Sequence, residues 1–159
     1  MTGQKSQAQN EMRYPFYVHD QYVKDLSFEN PNFLLKYSEK EKMPTVAVNL
    51  ETTVARVGEE NYEVVLNIAI KSTFDQTTVF IVDLKYAGLL SMQQELSEEL
   101  RETILLVHCP FLLFPFARSI IADTTRAGGY QPLLLEPVDF AALYLEKRKL
   151  APGTIRTDD

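Results

Sequence analysis

Apolar and polar residues alternate along four stretches in the first half of the chain, the period of a strand with one buried face. The first lies in Tyr14–Glu29. Its last part sets Tyr22, Leu26 and Phe28 on one side, with Lys24 an exception, and Val23, Asp25, Ser27 and Glu29 on the other. Asn30-Pro31 ends it, because the residue before proline is pushed towards extended backbone and Asn favours turns. Thr45–Val57 places Val46, Val48, Leu50, Thr52 and Val54 opposite Thr45, Asn49, Glu51 and Thr53. Gly58-Glu59-Glu60 predicts a hairpin turn, with Gly free to take positive φ. Asn61–Phe74 places Tyr62, Val64, Leu66, Ile68 and Ile70 opposite Glu63, Asn67, Lys71 and Thr73. After the turn Asp75-Gln76, Thr77–Gly88 sets Phe80, Val82, Leu84 and Tyr86 against Val79, Ile81, Asp83 and Lys85. Its second face passes from apolar to charged, which suits a docking surface on the back of a sheet. Short turns between such strands predict an antiparallel meander with one buried face and one wetter face.

The period then changes. Ser91–Cys109 carries Leu96, Leu100, Ile104 and Val107 at helical spacing, with Ser91 and Gln94 able to form a capping box. Glu95, Glu98, Glu99 and Glu102 crowd its early turns, where the helix dipole favours negative charge. Pro110 is expected to interrupt. Phe111–Phe114 is a continuous apolar run, and Pro115 suits the first position of another helix, reaching about Ala127. Gly128-Gly129 supplies a positive-φ stop. Gln131–Pro137 is an extended apolar connection, and Asp139 can cap a last helix over Phe140–Lys149. Strands first and helices after is the α+β pattern. The expected domain runs over residues 14–150, between a disordered polar segment 1–13 and a flexible tail 151–159. Between the first two strands lies the long connection Asn32–Pro44, whose Phe33, Leu34, Leu35 and Tyr37 must cover or bind something.

Charge narrows the partners. The net charge of −6 disfavours nucleic acid and anionic membranes, which need clustered Lys and Arg, and favours basic partners. The single cysteine, Cys109, allows no internal disulfide, which fits a reducing compartment. The polar N-terminal stretch has no apolar core of a signal peptide, and Phe111–Ala117 is short for a membrane span and holds a proline. The expectation is a cytoplasmic protein with no membrane insertion.

Catalytic and metal chemistry find little support. His19 and His108 are far apart, and one cysteine cannot complete a zinc site. His108 and Cys109, adjacent on a helix, point apart and cannot serve as base and nucleophile. No phosphate-cradling glycine pattern occurs, and Glu95–Glu102 suits a solvated helix face. No cofactor, metal or catalytic residue is expected, and the chain is not expected to be an enzyme. What remains is apolar and aromatic surface: the Phe33–Tyr37 set, Phe111, Phe114, Phe116, Phe140 and Tyr144. Core packing accounts for many of these. The connection and the Phe111–Phe114 run stand out as material for an oligomer interface or an exposed groove.

Four segments resemble the SecB family of bacterial export chaperones. They are Tyr22–Pro31 (YVKDLSFENP), Tyr62–Leu66 (YEVVL), Cys109–Arg118 (CPFLLFPFAR) and Gln131–Tyr144 (QPLLLEPVDFAALY). They occur in family order. The resemblance implies a four-stranded antiparallel sheet followed by two or three helices, assembled as a dimer of dimers, a homotetramer. It implies an ATP-independent holdase that keeps secretory preproteins unfolded and delivers them to the SecA motor. It also implies that Asp25, Glu29, Ile81 and Asp83 receive the zinc-bearing C-terminal segment of SecA. Alternation had already placed those four on outward faces. A client groove is expected from Phe33, Leu35, Tyr37, Phe111, Phe114, Phe140 and Tyr144. The chain departs from the family in having no Trp, in a short tail behind the basic Lys147-Arg148-Lys149, and in Ala87-Gly88 where the family has a Gly pair. The alternative reading is an α+β domain holding a small apolar ligand or lipid.

Overall fold

A computed structural model describes residues 15–38 and 43–150. The segments expected to be disordered or loose, 1–13 and 151–159, lie outside the described residues, as do Tyr14 and residues 39–42 of the long connection. Four antiparallel strands form one sheet: β1 (Phe16–Glu29), β2 (Thr45–Val57), β3 (Asn61–Phe74) and β4 (Thr77–Met92). Their spatial order is β1-β4-β3-β2. Only β2, β3 and β4 form a meander. β1 lies beside β4, so its connection to β2 crosses the end of the sheet, as in a Greek key. The meander expected from the short turns is thus β2-β3-β4, and the long connection carries the chain across from β1. Both hairpins turn where the sequence has turn residues. Gly58 has φ 74°, and Asp75 and Gln76 take φ 42° and 69°. Two successive positive-φ residues match the twist of the flanking strands.

Two β-irregularities alter the sidedness read from alternation. In β1 the pairing with β4 skips Lys24, between Val23↔Tyr86 and Asp25↔Lys85. An extra residue inverts the faces beyond it. Tyr22 therefore joins the outer face and Val23 the helix-facing side, opposite to the sequence expectation. Asp25, Ser27 and Glu29 stay outward. In β4 a second irregularity falls at Val79, between Ser72↔Phe80 and Thr73↔Thr78. Val79 is buried rather than outward. Phe80, Val82, Leu84 and Tyr86 are buried on the helix side as expected.

The helix layer starts later and runs further than expected. β4 continues through Ser91 to Met92, so Ser91 caps nothing. Ser97 is the N-cap of α2 (Glu98–Thr103), its Oγ accepting from the Leu100 N–H, with Glu98 and Glu99 in the first turn. Leu100, expected on the buried stripe, is exposed. α2 passes through a π-helical turn, Ile104–His108, into α3 (Cys109–Ala127). The Cys109 N–H donates to the Ile104 carbonyl, five residues back. Pro110 has no N–H and would crowd the carbonyl four residues before it. The wider turn just ahead of it lets the helix continue, so Pro110 does not interrupt. Pro115 lies inside α3 rather than opening a new helix. The result is a single helical run, Glu98–Ala127, of 30 residues. By length and composition it could cross a membrane, which the short apolar run around Phe111 did not suggest. In the fold, one face of it lies on the sheet.

That face starts at Ile104 and Leu105 and then recurs every four residues, at Cys109, Leu113, Ala117, Ile121 and Thr125. It packs on Val64, Leu66, Ile68, Ile70, Val82, Leu84 and Leu90. Gly88 permits the close approach, since a Cβ there would lie 2.9 Å from Leu113 Cδ2. Gly129, at φ 94°, turns the chain out of α3. The extended segment that follows is tied back to the helix. Arg118 Nε donates to the Leu135 carbonyl at 2.7 Å, and the Leu133 N–H donates to Thr125 Oγ1 at 2.9 Å. Asp139 caps α4 (Phe140–Leu150), accepting from the Ala142 N–H at 3.0 Å. The long connection is partly structured: Leu35–Ser38 forms a one-turn helix, α1.

Candidate functional site

The sheet offers two faces of opposite character. Cross-strand partners in an antiparallel pair point to the same side, so the register fixes the outer face row by row. Lys71, Ile81 and Glu29 form one row, from β3 through β4 to β1. Ala69, Asp83 and Ser27 form the next, then Asn67, Lys85 and Asp25. The four residues Asp25, Glu29, Ile81 and Asp83, which the sequence could only place on outward faces of separate strands, thus share one patch. Asp25, Glu29 and Asp83 are exposed, and Ile81 is half-buried between Lys71 and Glu29.

Beyond this patch the outer face closes over. Tyr22 and Lys24 both donate to Glu63 of β3, Lys24 Nζ at 2.6 Å. The hydrogen bond from Lys24, then that from Tyr22, hold the Glu63 carboxyl below the usual carboxylate range. Burial first, and Glu63 beside it, push the Tyr22 phenol up to about 12. Val65 and Ala87 are buried beneath, although they belong to the outer face. The bulge at Lys24 creates this contact by turning Tyr22 outward.

The helix-facing side carries the apolar surface. The helical run covers the middle of the sheet and leaves its flanks bare. Val23 and Leu26 of β1 and Val46 and Val48 of β2 point to the core side, yet are 46%, 41%, 39% and 49% exposed. On the helices, Phe111, Leu112 and Phe116 are exposed in the same way. The Phe111–Phe114 run is not irregular: it is α3, with Phe111 and Leu112 out and Leu113 and Phe114 in. Phe111, Phe114 and Phe140 gather with Arg118 around an open cleft of about 370 Å³ between α3 and the segment before α4.

The residues expected in one client groove fall into separate groups. Phe111, Phe114 and Phe140 line that cleft. Phe114 and Phe140 are buried edge to face, leaving Phe111 as the accessible ring. Phe33 and Tyr37 stand at the opposite end of α3, roughly 20 Å away at the helical rise between Phe114 and Ala127. There Phe33 packs on Tyr130 and against Gly129, and Lys36 lies over the Phe33 ring at 4.3 Å. Lys36 Nζ donates to the Gly129 carbonyl and Asn30 Nδ2 to the Gly128 carbonyl, at 2.8 and 3.0 Å. These side chains satisfy carbonyls at the helix end, where cations are favoured. Leu35 is half-buried in α1. Tyr144 lies on α4 beside Glu102 and Arg148. Leu26, Val46 and Val48 were missed as surface residues: alternation shows that they point inward, and only the position of the helix shows that, among the described residues, nothing covers them. Val23, placed outward by alternation, is turned to the helix side by the bulge at Lys24.

Comparison with known proteins adds a family to this geometry. The model of a family described as the preprotein translocase subunit SecB matches residues 7–151. The protein-export protein SecB of Parvibaculum lavamentivorans is 41% identical over 145 residues, 91% of this chain and 86% of that one. That of Paramagnetospirillum magneticum is 46% identical over 128 residues, 80% and 81% of the two chains. Among solved structures, the Mycobacterium tuberculosis Rv1957 SecB-like chaperone, in complex with a ChAD peptide from the Rv1956 HigA1 antitoxin, superposes with a TM-score of 0.65. It is 17% identical, with 78% of this chain and 91% of that chain covered. At that identity the likeness concerns the fold.

Proposed function

This chain belongs to the SecB family and is a chaperone in protein export, and on that premise we propose that it is a cytoplasmic, ATP-independent holdase for unfolded secretory preproteins. One observation carries the reading: a bare apolar surface and an open acidic patch lie on opposite sides of one sheet. Phe111, Leu112, Phe116, Val46 and Val48 offer apolar area to an extended chain. A protein that takes up unfolded rather than folded partners needs such area, because only unfolded chains expose apolar side chains in quantity. Asp25, Glu29, Ile81 and Asp83 receive the basic, zinc-bearing C-terminal segment of SecA, leaving client and motor contacts on separate faces. Val23 and Leu26 on the free edge of β1 suit contacts with further copies in a dimer of dimers. The alternative of a small apolar ligand is set aside by the family match.

The purified protein is expected to suppress aggregation of a diluted, denatured precursor without nucleotide, with the mass of a tetramer by light scattering. Asp83→Lys is expected to weaken binding of the SecA segment at least about tenfold, since it replaces attraction by repulsion at a shared patch. Client affinity should stay unchanged. Equal SecA-segment affinity by calorimetry for the wild type and Asp83→Lys would refute the docking assignment.

A further inference from the structure

The outer patch is not simply acidic. Lys71 sits in the row of Ile81 and Glu29, and Lys85 sits in the row of Asp25, directly beside Asp83 along β4. Three carboxylates and two ammonium groups therefore share three successive rows of the face that carries Ile81. The ion pairs among the described residues are Lys24–Glu63, Arg126–Asp123 and Arg148–Glu99, and none involves these five. Lys85 and Asp25 are cross-strand partners and still form no pair. Lys24, by contrast, is engaged by Glu63 at 2.6 Å. The sheet thus neutralises one cation of its outer face and leaves two open among open carboxylates. A partner carrying only positive charge would bring its cations against Lys71 and Lys85, and like charges across an interface select against binding.

We infer that this patch takes a polypeptide segment of both signs: basic residues over Asp25, Asp83 and Glu29, an apolar side chain on Ile81, and at least one carboxylate reaching Lys71 or Lys85. The inference rests on the docking reading above and specifies its partner's charge pattern. The lysines act as specificity residues, rejecting segments that are basic throughout.

The test uses the C-terminal zinc-bearing segment of SecA from the same organism, titrated by calorimetry into the full chain and its variants at two salt concentrations. Lys71→Met, Lys85→Met and Lys85→Glu all replace exposed side chains, and unchanged thermal unfolding will verify their folds. Weaker binding is expected for each, about three- to tenfold for the Met variants and more for Lys85→Glu, the range of exposed and rim charge pairs. The loss should shrink at high salt. A segment whose charged residues are all Lys or Arg should bind the wild type more weakly than one of the same length that also carries a carboxylate. Tighter or unchanged binding by the lysine variants would overturn the inference while leaving the docking surface standing. If Asp83→Lys also binds like the wild type, the docking reading itself has failed and the charge pattern with it.

Discussion

Phe111 and Phe114 are three residues apart on one helix, and replacing each by Ser should have opposite consequences. Phe111 is 66% exposed, whereas Phe114 is 7% exposed and packed on Phe140. A Phe side chain offers roughly 200 Å² of apolar surface, so the Phe111 ring leaves roughly 130 Å² open to a client. At about 25 cal/mol per Å², covering it is worth at most about 3 kcal/mol. Ordering of a flexible client offsets part of that gain, leaving about 1–2 kcal/mol, or roughly five- to thirtyfold in Kd. Phe111→Ser should therefore weaken capture of an unfolded precursor by that factor, with unfolding in urea unchanged within about 0.5 kcal/mol. Phe114→Ser should cost about 3–5 kcal/mol of stability through the cavity it leaves. The assay is a fluorescence titration of a labelled, slowly folding precursor, with light scattering to fix the assembly. Wild-type client affinity in a folded Phe111→Ser protein would refute the reasoning. So would loss of assembly in place of loss of client affinity, since the ring would then belong to a contact between copies.

Three further outcomes follow from the packing. Gly129→Ala should lower the thermal midpoint by several degrees, at a cost of about 1–3 kcal/mol. It forces a Cβ into positive φ and to within 2.5 Å of Phe33 Cε2, and wild-type stability would show that the turn relaxes freely. Because the Glu63 carboxyl is held below its ordinary value of 4.5, its contribution is complete above that pH and is lost as pH falls through the lower folded value. Acid unfolding of Glu63→Gln should therefore be shallower than that of the wild type in that window, read by circular dichroism. The Cys109 thiol is fully buried and burial pushes it up to about 12, so it should resist a thiol reagent at pH 8 until the protein is unfolded. Prompt labelling of the native protein would contradict the packing of α3 on the sheet.

Local signals were strong enough to give most elements. The period-two alternation of Thr45–Val57 and Asn61–Phe74, the turn residues at Gly58 and Asp75, and the capping of α4 by Asp139 all act within a few residues and were legible. The outward placement of Asp25, Glu29, Ile81 and Asp83 was legible for the same reason. Their meeting in one patch was not, because it depends on β1 crossing to pair with β4 rather than with β2. Pro110 misled because a proline breaks a regular α-helix, while a π turn ahead of it accommodates the same residue. Lys24 misled because one bulged residue inverts the faces on either side of it.

By itself the sequence determined the class of the fold, the strands and their main faces, the polar and charged character of the outer side, and the likeness of four colinear segments to the SecB family. These rest on local periodicity, net charge and residue identity, which need no third dimension. Only the tertiary structure decided strand order, the continuous helix over the sheet, the bare flanks at Val46 and Val48, and the position of Lys71 and Lys85 among the acids of the patch. Those depend on long-range pairing and on where one finite helix ends its cover. A chain states which side of each strand is apolar, but what lies across from that side is set by packing.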